Sequence, residues 1–202
     1  MEPFIRFNSP ALPLEQPNLD TDQLIPARFL LKPRDDVYWT YLFHDLRFNG
    51  DGSERLEFIL NQPPFRDAKI IVGNKNFGCG SSREGAVFAL TANGFRSLIA
   101  PSFGDIFYNN CFNNGVLPVV LPEEAVTGLR TQLVDQPGAS ITVNLDTQTV
   151  TGPDKTNYGF EIDPHRKYRL LNGLDAVGYT KQFETEATAF ETGYRKNASW
   201  LY

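Results

Sequence analysis

The sequence predicts a single mixed α/β domain, and two patterns carry that prediction. Short apolar runs at residues 69–73, 96–100 and 115–121 have the length and composition of buried strands. Residues 84–93 lie between the first two runs, have helical composition and are followed by Gly94, a residue that commonly ends a helix. The first two strands and this helix therefore form a predicted β–α–β unit with a right-handed crossover.

The N-terminal third is predicted to be irregular, because prolines interrupt it at positions 3, 10, 13, 17, 26 and 33. The C-terminal half is more regular. Pro122 and the two acids after it are typical of a helix start. Further strands in antiparallel hairpins are expected at residues 141–146, 147–150 and 158–162, and further helices at 163–171 and 181–194. We find no internal repeat, so residues 1–202 are interpreted as one domain with a C-terminal helical extension from about residue 163.

Composition excludes several classes of function. The 202 residues include 19 Lys and Arg against 24 Asp and Glu, and this net charge of −5 argues against a general affinity for nucleic acid or anionic lipid. Two cysteines and two histidines exclude a disulfide framework and are too few for a cysteine-rich zinc or iron–sulfur site in this chain. No apolar run approaches the ~20 residues of a membrane span, and the first residues lack the layout of a signal peptide. We therefore expect a cytoplasmic protein with reduced thiols and no membrane or nucleic-acid partner.

The most informative segment is residues 73–84, between a predicted strand and a predicted helix. In α/β sheets this position directs backbone N–H groups and the helix dipole toward an anionic ligand. The two common nucleotide motifs both fail here. Cys79 stands where a P-loop needs its lysine, and Arg83 stands where a dinucleotide fingerprint needs its third glycine.

What remains in this segment is a flexible turn with two hydroxyls and a guanidinium. Gly78 and Gly80 can adopt positive φ angles and bring the backbone close to a ligand, and Arg83 can hold a carboxylate in a bidentate fork. The same residues also fit a purely structural interpretation, because Ser81-x-x-Glu84 has the pattern of a helix capping box. On this motif alone both interpretations stay open.

Four stretches, taken in order, resemble the swivelling domain of the aconitase superfamily. Phe77-Gly-Cys-Gly-Ser-Ser-Arg-Glu84 is similar to its Gly-Ser-Ser-Arg-Glu signature, and residues 18–26 (NLDTDQLIP) are similar to its Asp-Thr-Asp loop. Residues 100–107 with Asn110, and then 115–118, resemble the next two motifs. Residues 172–175 and Thr180 resemble the C-terminal signature of one branch, the small subunits of 3-isopropylmalate dehydratase, and the similarity spans nearly the whole chain.

This resemblance implies an α/β fold of three β/β/α layers, in which a parallel sheet carries helices on one face and an antiparallel layer on the other. The motif loops should meet at the carboxyl ends of the parallel strands. It also implies a large subunit that holds a [4Fe–4S] cluster, no metal in this chain, and a small hydroxy-dicarboxylate substrate. The implied activity is that of a hydro-lyase of leucine biosynthesis, which interconverts 2-isopropylmalate and 3-isopropylmalate through isopropylmaleate. Two alternatives are the small subunit of a related malate or maleate hydratase and a binding homologue without catalysis.

The resemblance assigns roles to individual residues. Ser81 is expected to be the base that removes a proton adjacent to a carboxylate. Asp22 is expected to relay a proton or to position a group, although an Asx turn would explain it equally well. Arg28 is expected to read the second carboxylate or the alkyl group, and a surface arginine is the alternative. The substrate-binding set is Ser82, Arg83, Arg28 and Gly80.

One residue departs from the signature of the family. The motif usually continues with histidine after Ser-Ser-Arg-Glu, whereas this chain has Gly85. A glycine in the first turn weakens a helix by about 1 kcal/mol relative to alanine. The substitution is either tolerated variation or the mark of a paralogue with another substrate or reduced activity.

Overall fold

A computed structural model describes residues 1–80, 83–198 and 200. Within these residues the strands are β1 (Arg6–Pro13), β2 (Ile70–Val72), β3 (Ser97–Ala100), β4 (Leu117–Val120), β5 (Ser140–Asn144), β6 (Thr149–Thr151) and β7 (Asn157–Gly159). The α-helices are α1 (Thr21–Leu24), α2 (His44–Arg47), α3 (Gly85–Ala92), α4 (Asp105–Asn113), α5 (Glu123–Asp135), α6 (Pro164–Leu171), α7 (Ala176–Lys181) and α8 (Glu184–Asn197). Short 3₁₀ turns lie at Ala27–Phe29, Tyr38–Tyr41, Ile59–Asn61 and Pro63–Phe65.

The strands form one mixed sheet in the order β4-β3-β2-β1-β5-β6-β7. Strands β4, β3, β2 and β1 are parallel, while β5, β6 and β7 continue the sheet in antiparallel fashion from β1. The predicted fold class, α/β with a parallel and an antiparallel part, is thereby confirmed. Because the parallel strands share one direction, the loops that follow them emerge at a single edge of the sheet.

The prediction of an irregular N-terminal third is wrong at residues 6–13, which form the central strand. β1 pairs with β5 as far as Pro10 and with β2 from Ala11 onward. Pro10 therefore stands where one partner strand gives way to the other, and its carbonyl still accepts a bond from the Lys69 amide at 3.2 Å. A proline is tolerated in a strand where no ladder bond needs its N–H, so proline content alone was a misleading signal.

Helices cover both faces of the parallel sheet, where the resemblance led us to expect helices on one face. Alternate residues of the strands point to opposite sides. Leu12 and Ile71 pack into one buried cluster together with α3, while Ile70 packs into a second cluster with α5. Strand β5 contributes Ile141 and Val143 to that second cluster. The antiparallel strands and α5 therefore share one core, because both contribute apolar side chains to the second cluster.

Two regions of helix differ from the prediction. Helix α4, Asp105–Asn113, was not predicted from the sequence. The helix expected at residues 181–194 corresponds to α8, and α7 before it was not predicted; neither helix contains a buried residue in the described part of the chain. No helix among the described residues is long and apolar enough to cross a membrane.

Candidate active site

The loops that follow β1 and β2 run side by side at the carboxyl edge of the parallel strands. The Gly78 amide donates to the Leu19 carbonyl at 2.8 Å, and the Thr21 amide donates to the Cys79 carbonyl at 2.9 Å. An isolated bridge between Asp20 and Cys79 extends this pairing beyond the strands themselves. Backbone bonds therefore fix the two motif loops against each other, as the sequence analysis predicted for this edge.

The loop after β3 packs against the same place. The Phe77 amide donates to the Ser102 carbonyl at 3.0 Å, and the Gly104 amide donates to the Phe77 carbonyl at 2.9 Å. A Cβ atom at Gly104 would lie only 2.6 Å from the Gly78 carbonyl oxygen and 3.1 Å from Cys79 Cα. Glycine is needed at position 104 because two backbones cross there without room for a side chain.

Gly78 and Gly80 have φ angles of +71° and +94°, which confirms the predicted positive φ at both positions. A side chain at Gly78 would collide with the Phe107 ring, and one at Gly80 would collide with the Asp20 carboxylate. The turn therefore has backbone without side chains at both glycines, and of the two Gly80 is exposed to solvent. Gly78, Cys79, Gly80 and the start of α4 line a cleft of about 310 Å³.

Arg83 and Asp22 form a side-chain contact between the two motif loops. Arg83 Nη1 donates to Asp22 Oδ1 in an ion pair, although the two residues are far apart in the chain. Both side chains remain partly open to solvent, with exposed fractions of 32% for Arg83 and 55% for Asp22. The structure therefore brings together two of the residues that the sequence analysis singled out.

Asp20 provides the local cap that the sequence analysis offered as the alternative role of Asp22. Its carboxylate accepts from the Asp22 amide at 2.6 Å, while the Gln23 side chain accepts from the Asp20 amide at 3.0 Å. This reciprocal pair is a capping box at the start of α1. The pattern Asp20-x-x-Gln23 could have been found in the sequence, and it leaves the Asp22 carboxylate available to Arg83.

The predicted capping box at residues 81–84 does not correspond to the start of α3. The helix begins at Gly85 with Glu84 as its N-cap, and the Glu84 side chain accepts from Asn114 Nδ2 at 3.2 Å. Ser81 and Ser82 themselves lie outside the described residues. Their described neighbours, Gly80 and Arg83, both belong to the cluster of loops at the carboxyl edge.

Arg28 lies elsewhere. It lines a different cleft, together with His44 and Asp45, and its Nη1 donates to Asp45 Oδ2 at 2.9 Å. The hydrogen bond from Arg28 lowers the pKa of the Asp45 carboxyl. Since the guanidinium also lies over the Phe29 ring at 4.5 Å, its present contacts are structural, and its substrate-binding role stays a prediction.

The two thiols differ in accessibility. Cys79 is half-buried beside the cleft, and burial, followed by the negative charge of Asp20, raises the pKa of its thiol. Cys111 is fully buried, and burial raises the pKa of its thiol well above the usual range. The described residues contain no group of three His, Cys, Asp or Glu side chains arranged to hold a metal ion.

Neighbouring side chains fill the space beside Gly85, where the family signature has histidine. A Cβ atom there would lie 2.7 Å from Leu30 Cδ2 and 3.7 Å from the Tyr38 hydroxyl. A larger residue must therefore displace the end of the Leu30 side chain. This packing explains how the chain accommodates glycine within the first turn of α3.

Comparisons with known proteins agree along the chain. The family model described as the aconitase C-terminal domain matches residues 1–124, and a second, described as LeuD_N, matches residues 129–164. A 3-isopropylmalate dehydratase small subunit of Leptospira interrogans is 47% identical over 204 aligned positions, covering 100% of this chain and 99% of the relative. One of Paramagnetospirillum magneticum is 46% identical and covers 100% of both chains. The crystal structure of 3-isopropylmalate dehydratase from Methanocaldococcus jannaschii superposes with a TM-score of 0.67 at 23% identity. The match includes 92% of this chain and 99% of the crystallised chain, and it supports the fold.

Proposed function

The chain belongs to the family of 3-isopropylmalate dehydratase small subunits, and on this premise we propose that its three converging loops form one half of an active site that a large subunit completes. It is a hydro-lyase subunit of leucine biosynthesis. The observation that carries the proposal is the ion pair between Arg83 and Asp22, which joins the two motif loops.

Arg83 is the proposed carboxylate-binding group. Its guanidinium holds the Asp22 carboxylate, which shows that a carboxylate can reach it at this position. The substrate would be a hydroxy-dicarboxylate, 2-isopropylmalate or 3-isopropylmalate, and one of its carboxylates would replace or share the contact with Asp22. Because the Asp22 pair is partly exposed and screened by solvent, the exchange costs little. Ser82 and the Gly80 backbone are the further proposed contacts to the substrate.

Ser81 is the proposed base. In dehydration it takes a proton from the carbon adjacent to a carboxylate, the hydroxyl leaves from the neighbouring carbon, and isopropylmaleate forms. Addition of water with the opposite placement then yields the other isomer. A serine hydroxyl is a weak acid, so its alkoxide needs backbone N–H donors, a helix dipole and a cation nearby. The turn at Gly80, the start of α3 and the Arg83 guanidinium are the proposed sources of these three.

The [4Fe–4S] cluster is proposed to belong to the large subunit. A cluster needs about three or four thiolates. This chain has two, one of them fully buried and the other beside the cleft, so its donor set does not fit such a group. When bound in the partner, the cluster would supply a Lewis acid for the leaving hydroxyl.

The assembly is proposed to be a cytoplasmic hetero-oligomer. Exposed apolar side chains in the C-terminal segment support a contact surface, since Phe183, at the N-cap of α8, is 47% exposed and Phe190 within α8 is 71% exposed. Large apolar side chains are usually covered in a working assembly when several lie on one segment.

The experiment that tests this function is reconstitution. The purified chain is added to a purified large subunit, and isopropylmaleate is followed by its ultraviolet absorbance with 2-isopropylmalate, 3-isopropylmalate and a panel of other malate and maleate derivatives. Turnover of both isopropylmalate isomers that requires this chain is the expected result. Faster turnover of another diacid would replace the proposed substrate, and no turnover of any diacid by an assembled complex would contradict the proposal.

A further inference from the structure

A buried arginine on α5 reaches the base of the motif loops from the face of the sheet that α5 covers. Arg130 is only 5% exposed, and its Nη1 donates to the Gly73 carbonyl at 3.0 Å. Its Nε lies 3.2 Å from Glu15 Oε1. We propose that Arg130 is a positioning residue, which holds the loops after β1 and β2 in the geometry that the reaction requires. The proposal rests on the function proposed above.

The contacts of Arg130 fall on both loops at the point where each leaves the sheet. Gly73 directly follows β2, and Glu15 is separated from the end of β1 by a single residue, Leu14. Asn74 Nδ2 donates to the Glu15 carbonyl at 2.8 Å, so the two loop bases are also bonded to each other. One guanidinium thus fixes a carbonyl of one loop and faces a carboxylate of the other.

Gly73 connects this anchor to the cleft. A Cβ atom at Gly73 would lie 2.5 Å from the Phe77 ring, so the Phe77 side chain packs directly on the Gly73 backbone. Phe77 is buried, and its own amide and carbonyl bond to Ser102 and Gly104. A shift of the Gly73 carbonyl would therefore be passed to the crossing of three loops beside Gly78 and Cys79.

Packing alone does not account for an arginine at this place. Nε is buried and has no aligned hydrogen-bond partner among the described residues, because the Glu15 oxygen lies within ion-pair distance but not along the N–H direction. The Glu15 side chain is 68% exposed, which weakens the pair by solvent screening. Apolar residues of similar volume often stabilise a core better than a buried charge, so retention of the charge points to a role in placing the loops.

Arg96 is a matched control. Its Nε is also buried without an aligned partner in the described part of the chain, and its Nη2 donates to the Pro3 carbonyl at 3.1 Å. It also pairs with an exposed carboxylate, that of Glu2. It directly precedes β3 and therefore lies at the edge of the sheet opposite to the motif loops. Arg96→Gln should disturb a similar set of bonds without touching the site.

The test compares Arg130→Gln, Arg130→Lys and Arg96→Gln in two experiments. Hydrogen–deuterium exchange of the isolated chain should show faster exchange at residues 14–21 and 73–80 for Arg130→Gln and no change there for Arg96→Gln. In the reconstituted complex, Arg130→Gln should lower kcat about 10- to 100-fold with KM changed less than about twofold, because small misplacements of reacting groups reduce the rate more than binding. Arg130→Lys should recover part of kcat, since it can still donate to the Gly73 carbonyl.

Two results would contradict the proposed role of Arg130. Equal kcat for Arg130→Gln and Arg96→Gln, measured on folded complex of equal amount, would overturn it, as would increased exchange spread evenly over the chain. The exchange experiment needs no turnover, so it separates this inference from the proposed function. If the loops loosen as expected but the wild-type complex turns over no isopropylmalate, the proposed function fails and the structural role of Arg130 stands.

Discussion

Gly104→Ala is the substitution whose effect on the site follows most directly from the geometry. Gly104 has φ −64° and ψ 133°, a conformation open to any residue, so alanine adds no backbone strain. The added Cβ would lie 2.6 Å from the Gly78 carbonyl oxygen, whereas ordinary van der Waals contact begins at 3.4 Å. The atoms that the Cβ would meet are backbone atoms of Gly78 and Cys79, which cannot rotate away as a side chain can. The backbone at position 104 must therefore move away from Gly78 by about 0.8 Å, the difference between 3.4 and 2.6 Å.

The expected consequence is larger for turnover than for folding. Overpacking of this kind costs about 1–3 kcal/mol of unfolding free energy. A displacement near 1 Å of a loop that carries reacting groups can reduce a rate about 100-fold. We therefore expect a modest loss of stability in urea denaturation and a loss of kcat of one to two orders of magnitude in the reconstituted complex.

The matched control is Gly128→Ala. Gly128 lies within α5, and apart from the neighbouring backbone of the helix itself a Cβ atom there would have no described atom within 4 Å. This substitution should stabilise the chain by about 1 kcal/mol through helix propensity and leave kcat unchanged. If Gly104→Ala retained the kcat of the wild type, the close crossing of the three loops would not matter for catalysis and the reasoning would be refuted.

The further predictions concern Arg83, the two thiols with Asp20, and the C-terminal helix α8. Arg83→Gln should raise KM about 10- to 100-fold in steady-state kinetics because a charge-assisted contact to the carboxylate is lost; an unchanged KM would exclude that contact. In mass-spectrometric alkylation at about pH 8, Cys79 should react slowly and Cys111 not at all, and the rate at Cys79 should increase as the pH approaches its raised pKa. Asp20→Asn keeps the helix cap but removes the charge that raises this pKa, so it should speed alkylation; slower labelling would contradict that cause. Phe190→Asp should change the unfolding free energy of the isolated chain by less than about 0.5 kcal/mol, because Phe190 is exposed. It should weaken binding to the large subunit about tenfold or more in titration calorimetry. An affinity equal to that of the wild type would show that α8 is not part of the interface.

Strands β2, β3 and β4 were predictable because almost all of their residues are buried, on both faces of the sheet. Such strands are continuous apolar runs, and residues 70–72, 97–100 and 117–120 have that composition. β1 was not predictable in the same way. Its prolines suppress the strand signal, and only the change of partner at Pro10 makes them compatible with the sheet.

The site was predictable in its parts but not in its contacts. The family resemblance, together with the rule that site loops lie at the carboxyl ends of parallel strands, led us to expect that residues 18–26 meet residues 73–84. The rule alone could not place residues 18–26 there, because no strand was predicted before them. The specific pairing of Asp22 with Arg83, by contrast, depends on the bonds between the two loops, which no local pattern encodes. Arg130 could not have been found from the sequence, because its role arises from the packing of α5 beneath the loop bases.

The most direct test of the central claim is the turnover of the reconstituted complex with Ser81→Ala, compared with Ser53→Ala in an exposed turn as the matched control. The account predicts that Ser81→Ala assembles with the large subunit as the wild type does and loses at least about 1000-fold in kcat, while Ser53→Ala keeps full activity. An assembled Ser81→Ala complex with wild-type kcat would contradict the claim that this chain supplies the base.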